Sequence, residues 1–246
     1  MTDSQPQPAV SNLRVMHALL AKDWRFFRAP IVALLLLCAG CYLTALTQTR
    51  VSRSEIYYSP LIDQATEGLM TGAQLSLMLC ALLAAAFGGV AIAGERAARS
   101  ADFLAALPIT RRQIVLSKCI TSASALGAFT ALHTAVLLFA LHFSGQPAER
   151  GGAWKLAVSS AIWLGFTVSF FGAAWLLSTF TRSGPISACV SIAITIAVFV
   201  LALVYLQGHD RADYMQLVRH LVLPPLAIGL ASLISGTLYY LRRVEP

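Results

Sequence analysis

Five of the eighteen Lys and Arg residues fall within the twenty-five positions Gly94–Lys118. They are Arg96, Arg99, Arg111, Arg112 and Lys118, accompanied by the carboxylates Glu95 and Asp102 and the apolar trio Phe103, Leu104 and Leu107. Guanidinium and carboxylate groups interleaved with apolar side chains suit recognition of a protein surface by ion pairs and hydrogen bonds. From Glu95 the pattern is helical, with Glu95, Arg99 and Asp102 recurring at spacings of four and three, each pair contributing roughly a few tenths of a kcal/mol. Pro108 disfavours helical geometry at Leu107 and ends that helix. Thr110-Arg111-Arg112-Gln113 then has the spacing of a capping box, Thr at the N-cap and Gln three residues on. The segment therefore reads as helix, turn, helix. Arg111 and Arg112 stand at a helix N-terminus, where the macrodipole disfavours cations.

The elements that must position this segment are apolar. Apolar residues form 57% of the chain and charged residues 12%, about half the roughly 25% usual in soluble domains. The mean hydropathy of +0.71 fits several spans and leaves no room for a sizeable soluble domain. A helix needs about 20 apolar residues to cross roughly 30 Å of hydrocarbon. Six segments satisfy this, near 30–48, 69–93, 119–143, 154–180, 186–206 and 225–241. Their continuous apolar character, without period-two alternation, specifies helices rather than barrel strands. The expected fold is an all-α integral membrane protein of six spans occupying 30–246.

Lys and Arg are divided unevenly between the two sides of these spans. Arg14, Lys22, Arg25, Arg28, Arg96, Arg99, Arg111, Arg112, Lys118, Arg182, Arg242 and Arg243 lie on one side, twelve against the six of Arg50, Arg53, Arg150, Lys155, Arg211 and Arg219. The positive-inside rule makes the first side cytoplasmic, with both termini and the 94–118 segment. The same bias accounts for the formal net charge of +7 without nucleic acid.

Residues 1–10 read as a disordered leader. Over 11–29, Leu13, Met16, Leu20, Trp24 and Phe27 recur at spacings of three and four, predicting an amphipathic helix along the cytoplasmic leaflet with Trp24 at headgroup level. The outer loops, near 49–68, 144–153 and 207–216, are too short to form a capture domain. Tyr214, Leu217, Val218, Leu221 and Val222 predict a short outer helix, broken before the last span restarts with Pro225 in its first turn. Small-residue runs, Gly68-x-x-x-Gly72, Ala84–Gly89, Gly165 and Gly172, predict close helix packing.

Enzymatic chemistry lacks its groups. None of the six spans contains Asp or Glu, and no Ser/His/Asp set has positional logic. His133 and His142 stand nine positions apart on one span with no His deep in another, so a bis-His haem is not supplied. His133 is a candidate substrate-pathway residue, an ionisable group at membrane depth, or a neutral group bonded to a neighbouring helix. Cys38, Cys41, Cys80, Cys119 and Cys189 lie in or beside apolar segments and form neither a disulfide framework nor a zinc site. No catalytic, cofactor-binding or metal-binding residue is expected. The absence of midplane carboxylates also disfavours an ion-coupled secondary transporter, whereas a passive membrane anchor that recruits a soluble partner shares the same features.

Gly94-Glu95-Arg96, Ser100, Asp102-Phe103-Leu104, Leu107-Pro108, Thr110-Arg111-Arg112, Ile114 and Lys118, set between two spans, resemble the ABC-2 family of ABC-transporter permease subunits. The chain has Arg99-Ser100-Ala101-Asp102 where Gly-Thr-Leu-Glu is common in that family. The resemblance implies that 94–108 is a cytoplasmic coupling helix between spans 2 and 3. It implies that Glu95, Arg96, Arg99, Asp102, Phe103, Leu104, Leu107, Pro108, Arg111 and Arg112 dock an ATP-binding ABC subunit. The chain has no G-x-x-x-x-G-K-[ST] loop, so ATP and Mg would belong to that partner. A second permease subunit, identical or related, would complete the translocation path within the lipids of a bacterial inner membrane. The implied activity is alternating-access export, and spans offering mainly Ser, Thr, Gln74, two His and aromatics lean toward an amphipathic or hydrophobic substrate.

Overall fold

The computed structural model describes residues 12–54, 61–97, 109–143, 152–207 and 220–243. These form six helices: α1 (Asn12–Ser54), α2 (Leu61–Ala97), α3 (Arg111–Phe143), α4 (Gly152–Phe180), α5 (Gly184–Gln207) and α6 (Leu223–Arg243). All six are long and apolar enough to cross a membrane, and the described residues contain no strand.

Helix α2 is the centre of the bundle, packing against α1, α3, α4 and α5, while α6 is held by α4. Phe27, Leu34 and Cys38 of α1 meet Cys80, Ala84 and Phe87 of α2 and Ala125, Leu126 and Phe129 of α3 in one core. A second core joins Ala81 and Ala85 of α2 to Phe166, Phe170 and Ala174 of α4. Lipid is as apolar as these side chains, so close packing rather than hydrophobic expulsion must hold the helices together. The small residues permit it. A Cβ on Gly88 would strike the α4 backbone at Phe171, one on Gly89 the α5 backbone at Gly184, and one on Gly172 the α6 backbone at Gly229. Buried hydroxyls are satisfied mostly within their own helices, as in Thr167 to the Trp163 carbonyl at 2.8 Å and Ser178 to the Trp175 carbonyl at 2.7 Å.

Outward faces are apolar. Leu35, Leu36 and Leu43 of α1, Ile186, Val190, Ile194 and Leu201 of α5, and Leu230, Ile234 and Leu238 of α6 are all exposed. Such faces belong in hydrocarbon. Cys38 and Cys80 are buried, whereas Cys189 faces outward.

The region expected as a separate interfacial helix and first span is one helix of 43 residues, with Pro30 inside it. Proline removes one backbone donor but need not break a membrane helix whose flanks are packed, and Phe27 and Leu34 on either side are both in the core. Within the expected apolar stripe, Leu13 and Trp24 face outward and Phe27 faces inward. Similarly, Gly94–Ala97 continue α2 rather than beginning a new element. The remainder of the expected coupling helix, residues 98–108, lies outside the described residues, as do the leader and most of the expected outer helix. Helix α6 begins at Leu223 with Pro224 and Pro225 in its first turn, where missing N–H groups cost nothing.

Candidate functional site

The described flanks of the 94–118 segment are tied into the bundle from both sides. On the returning side the capping box is complete. Thr110 N–H donates to Gln113 Oε1 at 2.9 Å and Gln113 N–H donates to Thr110 Oγ1 at 3.3 Å. The N-cap and the third residue of α3 thereby bond each other reciprocally, and the Gln113 N–H also reaches the Thr110 carbonyl at 2.9 Å. One turn on, Ile114 is buried against Leu19 of α1, with Val15 and Ile109 alongside.

Behind this cap sits a buried charge cluster. Lys118 Nζ lies 3.0 Å from Glu95 Oε1 and 3.4 Å from Asp23 Oδ1. The side chains of Lys118 and Asp23 are only 6% and 5% exposed. Ser117 Oγ–H donates to Asp23 Oδ2 at 2.5 Å, and Lys22 Nζ reaches Glu95 Oε1 at 2.8 Å. Two ammonium and two carboxylate groups from α1, α2 and α3 thus meet with no net charge. Lys22 stays exposed at the rim, whereas burial of Asp23 and Lys118 is tolerable only because each is paired and hydrogen-bonded. The cluster binds the N-terminal helix to both helices that bracket residues 98–108.

Arg96 adds a link to the opposite side of the bundle. Its Nη1 donates to the Thr179 carbonyl oxygen at 2.7 Å. A guanidinium on one of the last carbonyls of α4 both satisfies that acceptor and complements the negative end of the helix dipole. The turn that follows is itself hydrogen-bonded. Thr181 Oγ1 and Ser187 Oγ are 2.6 Å apart, and Ser183 caps α5 through the Ile186 N–H at 3.5 Å.

The ten residues expected to dock a partner therefore divide. Glu95 and Arg96 point into the bundle, Arg111 and Arg112 stand at the start of α3, and Arg99, Asp102, Phe103, Leu104, Leu107 and Pro108 lie outside the described residues. Asp23, Ser117 and Lys22 were absent from the sequence-derived set. A signal for Asp23 exists, since it is the sole carboxylate of the long helix α1.

His133 is buried on α3 and hydrogen-bonded across helices, its Nδ1 2.9 Å from Tyr42 Oη of α1. Its ring stacks on Phe129 at a centroid distance of 6.3 Å. Among the described residues Nε2 has no hydrogen-bond partner. No group of three or more His, Cys, Asp or Glu side chains among the described residues is placed to hold a metal ion.

Family comparison places this six-helix chain among membrane transport proteins. Residues 21–222 match the model of the ABC-2 family transporter proteins. The chain belongs to the ABC-2 family. No curated protein and no solved structure matches it. The matched range begins within the basic part of α1 and includes the whole charge cluster, the α2–α3 connection and helices α2 to α5. As an ABC-2 family member with six spans, the chain is a multi-pass membrane transport component, and the family implies partnership with an ATP-binding ABC subunit.

Proposed function

We propose that this ABC-2 chain is the permease subunit of an ATP-driven exporter, moving an amphipathic or hydrophobic substrate across a bacterial inner membrane by alternating access. Its motor is a separate ATPase that docks on the 94–118 segment, and a second permease subunit completes the path. Both termini lie in the cytoplasm. ATP and Mg bind the partner; this chain supplies the surface that receives the motion and the helices that carry it.

The observation supporting this most directly is the anchoring of the segment's two flanks. Glu95 and Lys118 pair with each other and with α1, while Arg96 holds the end of α4. Displacement of residues between those anchors is transmitted to four helices at once, as a rocking bundle requires. A passive recruitment surface has no need of such a linkage. Apolar cargo is supported by the described interior beyond the Asp23–Lys118 cluster, where the buried polar groups are hydroxyls and the His133–Tyr42 pair.

Mild-detergent purification of the tagged protein from its native membranes, with mass spectrometry of what accompanies it, tests the reading. A stoichiometric soluble protein carrying a phosphate-binding loop is expected. Its absence, under conditions that preserve the membrane oligomer, would refute the permease assignment.

A further inference from the structure

The start of α3 and the end of α6 enclose a cleft of about 580 Å3 lined by Thr110, Arg111, Arg112, Leu238, Leu241 and Arg242. Three guanidiniums from two helices face it. Among the described residues none of the three has an ion-pair partner, because the nearby carboxylates Glu95 and Asp23 are engaged by Lys22 and Lys118. The cleft therefore brings three guanidinium groups from two helices to one place. Its other wall is apolar. Leu230, Ile234 and Leu238 are exposed at successive spacings of four along α6, which places them on one face. That stripe descends from the cleft into the span.

An apolar track leading to a cluster of arginines matches a molecule with acyl chains and an anionic phosphate. We propose that the cleft binds an anionic glycerophospholipid of the surrounding leaflet. Its phosphate sits on Arg111, Arg112 and Arg242, and an acyl chain lies along Leu238, Ile234 and Leu230. Guanidinium is the group best matched to phosphate, through paired N–H donors, and the positive end of the α3 dipole favours an anion at the same place. A soluble anion would use the arginines but gain nothing from the stripe. Basic pockets between spans at the positive-inside face meet a leaflet already rich in such headgroups.

The full-length protein in neutral detergent, titrated with phosphatidylglycerol, phosphatidylcholine or inorganic phosphate, tests the site. Native mass spectrometry reads retained lipid and thermal unfolding reads all three probes. Phosphatidylglycerol should be retained at least about tenfold more than phosphatidylcholine. The combined Arg111→Gln, Arg112→Gln and Arg242→Gln variant should lose that preference, while Arg28→Gln and Arg182→Gln, elsewhere on the basic side, should keep it. Should the triple variant fold poorly, Arg242→Gln alone should weaken retention about threefold. Ile234→Asn should weaken phosphatidylglycerol retention and leave any response to inorganic phosphate untouched. Equal retention of both lipids, unchanged retention in the arginine variants, or stabilisation by inorganic phosphate equal to that by phosphatidylglycerol would each overturn the proposal. Arginine variants that lose the co-purifying ATPase but still hold phosphatidylglycerol would overturn it too, and would leave Arg111 and Arg112 to the docking surface alone.

Discussion

Lys118 Nζ stands 3.0 Å from Glu95 Oε1, closing an ion pair between the helix that enters residues 98–108 and the helix that leaves them. Asp23 on α1 takes the other side of the same ammonium at 3.4 Å. One buried cation thereby fixes three helices at the end of the bundle where a partner would act.

Removing that cation should be costly. Lys118→Met leaves Asp23 and Glu95 buried with less compensation, and breaking a buried pair from one side costs about 3–5 kcal/mol. Thermal unfolding of the purified protein should show a marked loss of stability. The double variant Asp23→Asn, Lys118→Met should be less destabilised than the sum of the single changes, because the two groups interact directly. Strict additivity would mean that the 3.4 Å contact carries no coupling.

Docking and anchoring should separate by mutation. Arg99→Glu is expected to abolish stimulation of the partner ATPase while leaving the abundance of the membrane subunit unchanged. Glu95→Ala should lower both, since it also strips Lys22 and Lys118 of a carboxylate. ATPase assays paired with quantitative blotting distinguish the two patterns. Full stimulation in the Arg99 variant would remove that residue from the docking surface.

The α4–α6 seam should tolerate no side chain. Gly172→Ala would drive a methyl group into the Gly229 backbone, whereas Gly127 on α3 has nothing within 4 Å of the corresponding position. Gly172→Ala should sharply reduce the yield of folded protein. Gly127→Ala should be neutral or stabilising by up to about 1 kcal/mol, the helix-propensity difference between the residues. Size-exclusion yield and thermal midpoint read the contrast, and equal behaviour of the two variants would contradict the packing.

The orientation can be read by chemical labelling. In a background lacking Cys38, Cys41, Cys80, Cys119 and Cys189, a cysteine replacing Arg150 should react with a membrane-impermeant maleimide from outside the cell. One replacing Arg112 should react only after permeabilisation. The reverse result would invert the topology and place the 94–118 segment on the wrong side for an ATPase.

The parts of this architecture legible in the sequence are those written in local spacing. Six apolar runs specify six spans, and the Thr110–Gln113 cap is encoded within four residues, so both appear as the residue pattern dictates. The charge cluster is different. Asp23 and Lys118 are separated by 95 positions, and nothing in either neighbourhood says which helix faces meet. Glu95 and Arg96 look like surface groups beside other charges, yet Lys118 on α3 and the Thr179 carbonyl on α4 turn them inward. Pro30 suggests a junction between two helices, but packing of Phe27 and Leu34 keeps α1 continuous. Gly172 could be recognised as a packing residue, while its counterpart Gly229 becomes visible only when α4 and α6 lie side by side.

The glycine contacts divide the molecule by how its parts can yield. Between α1, α2 and α3 the joint is toothed: Phe27 wedges edge-on against Phe87 at 4.8 Å, and the ion pairs lock it lengthwise. Between α4 and α6, backbone rests on backbone at Gly172 and Gly229, the Trp175 ring lies against Gly236, and Phe180 packs on Tyr239 at 4.5 Å. Among the described residues no ion pair crosses that seam, so the ionic lock is confined to α1, α2 and α3. A push delivered near Ala97 would carry α1, α2 and α3 as a single block, with α4 drawn along through Arg96 and α6 following through its contact with α4.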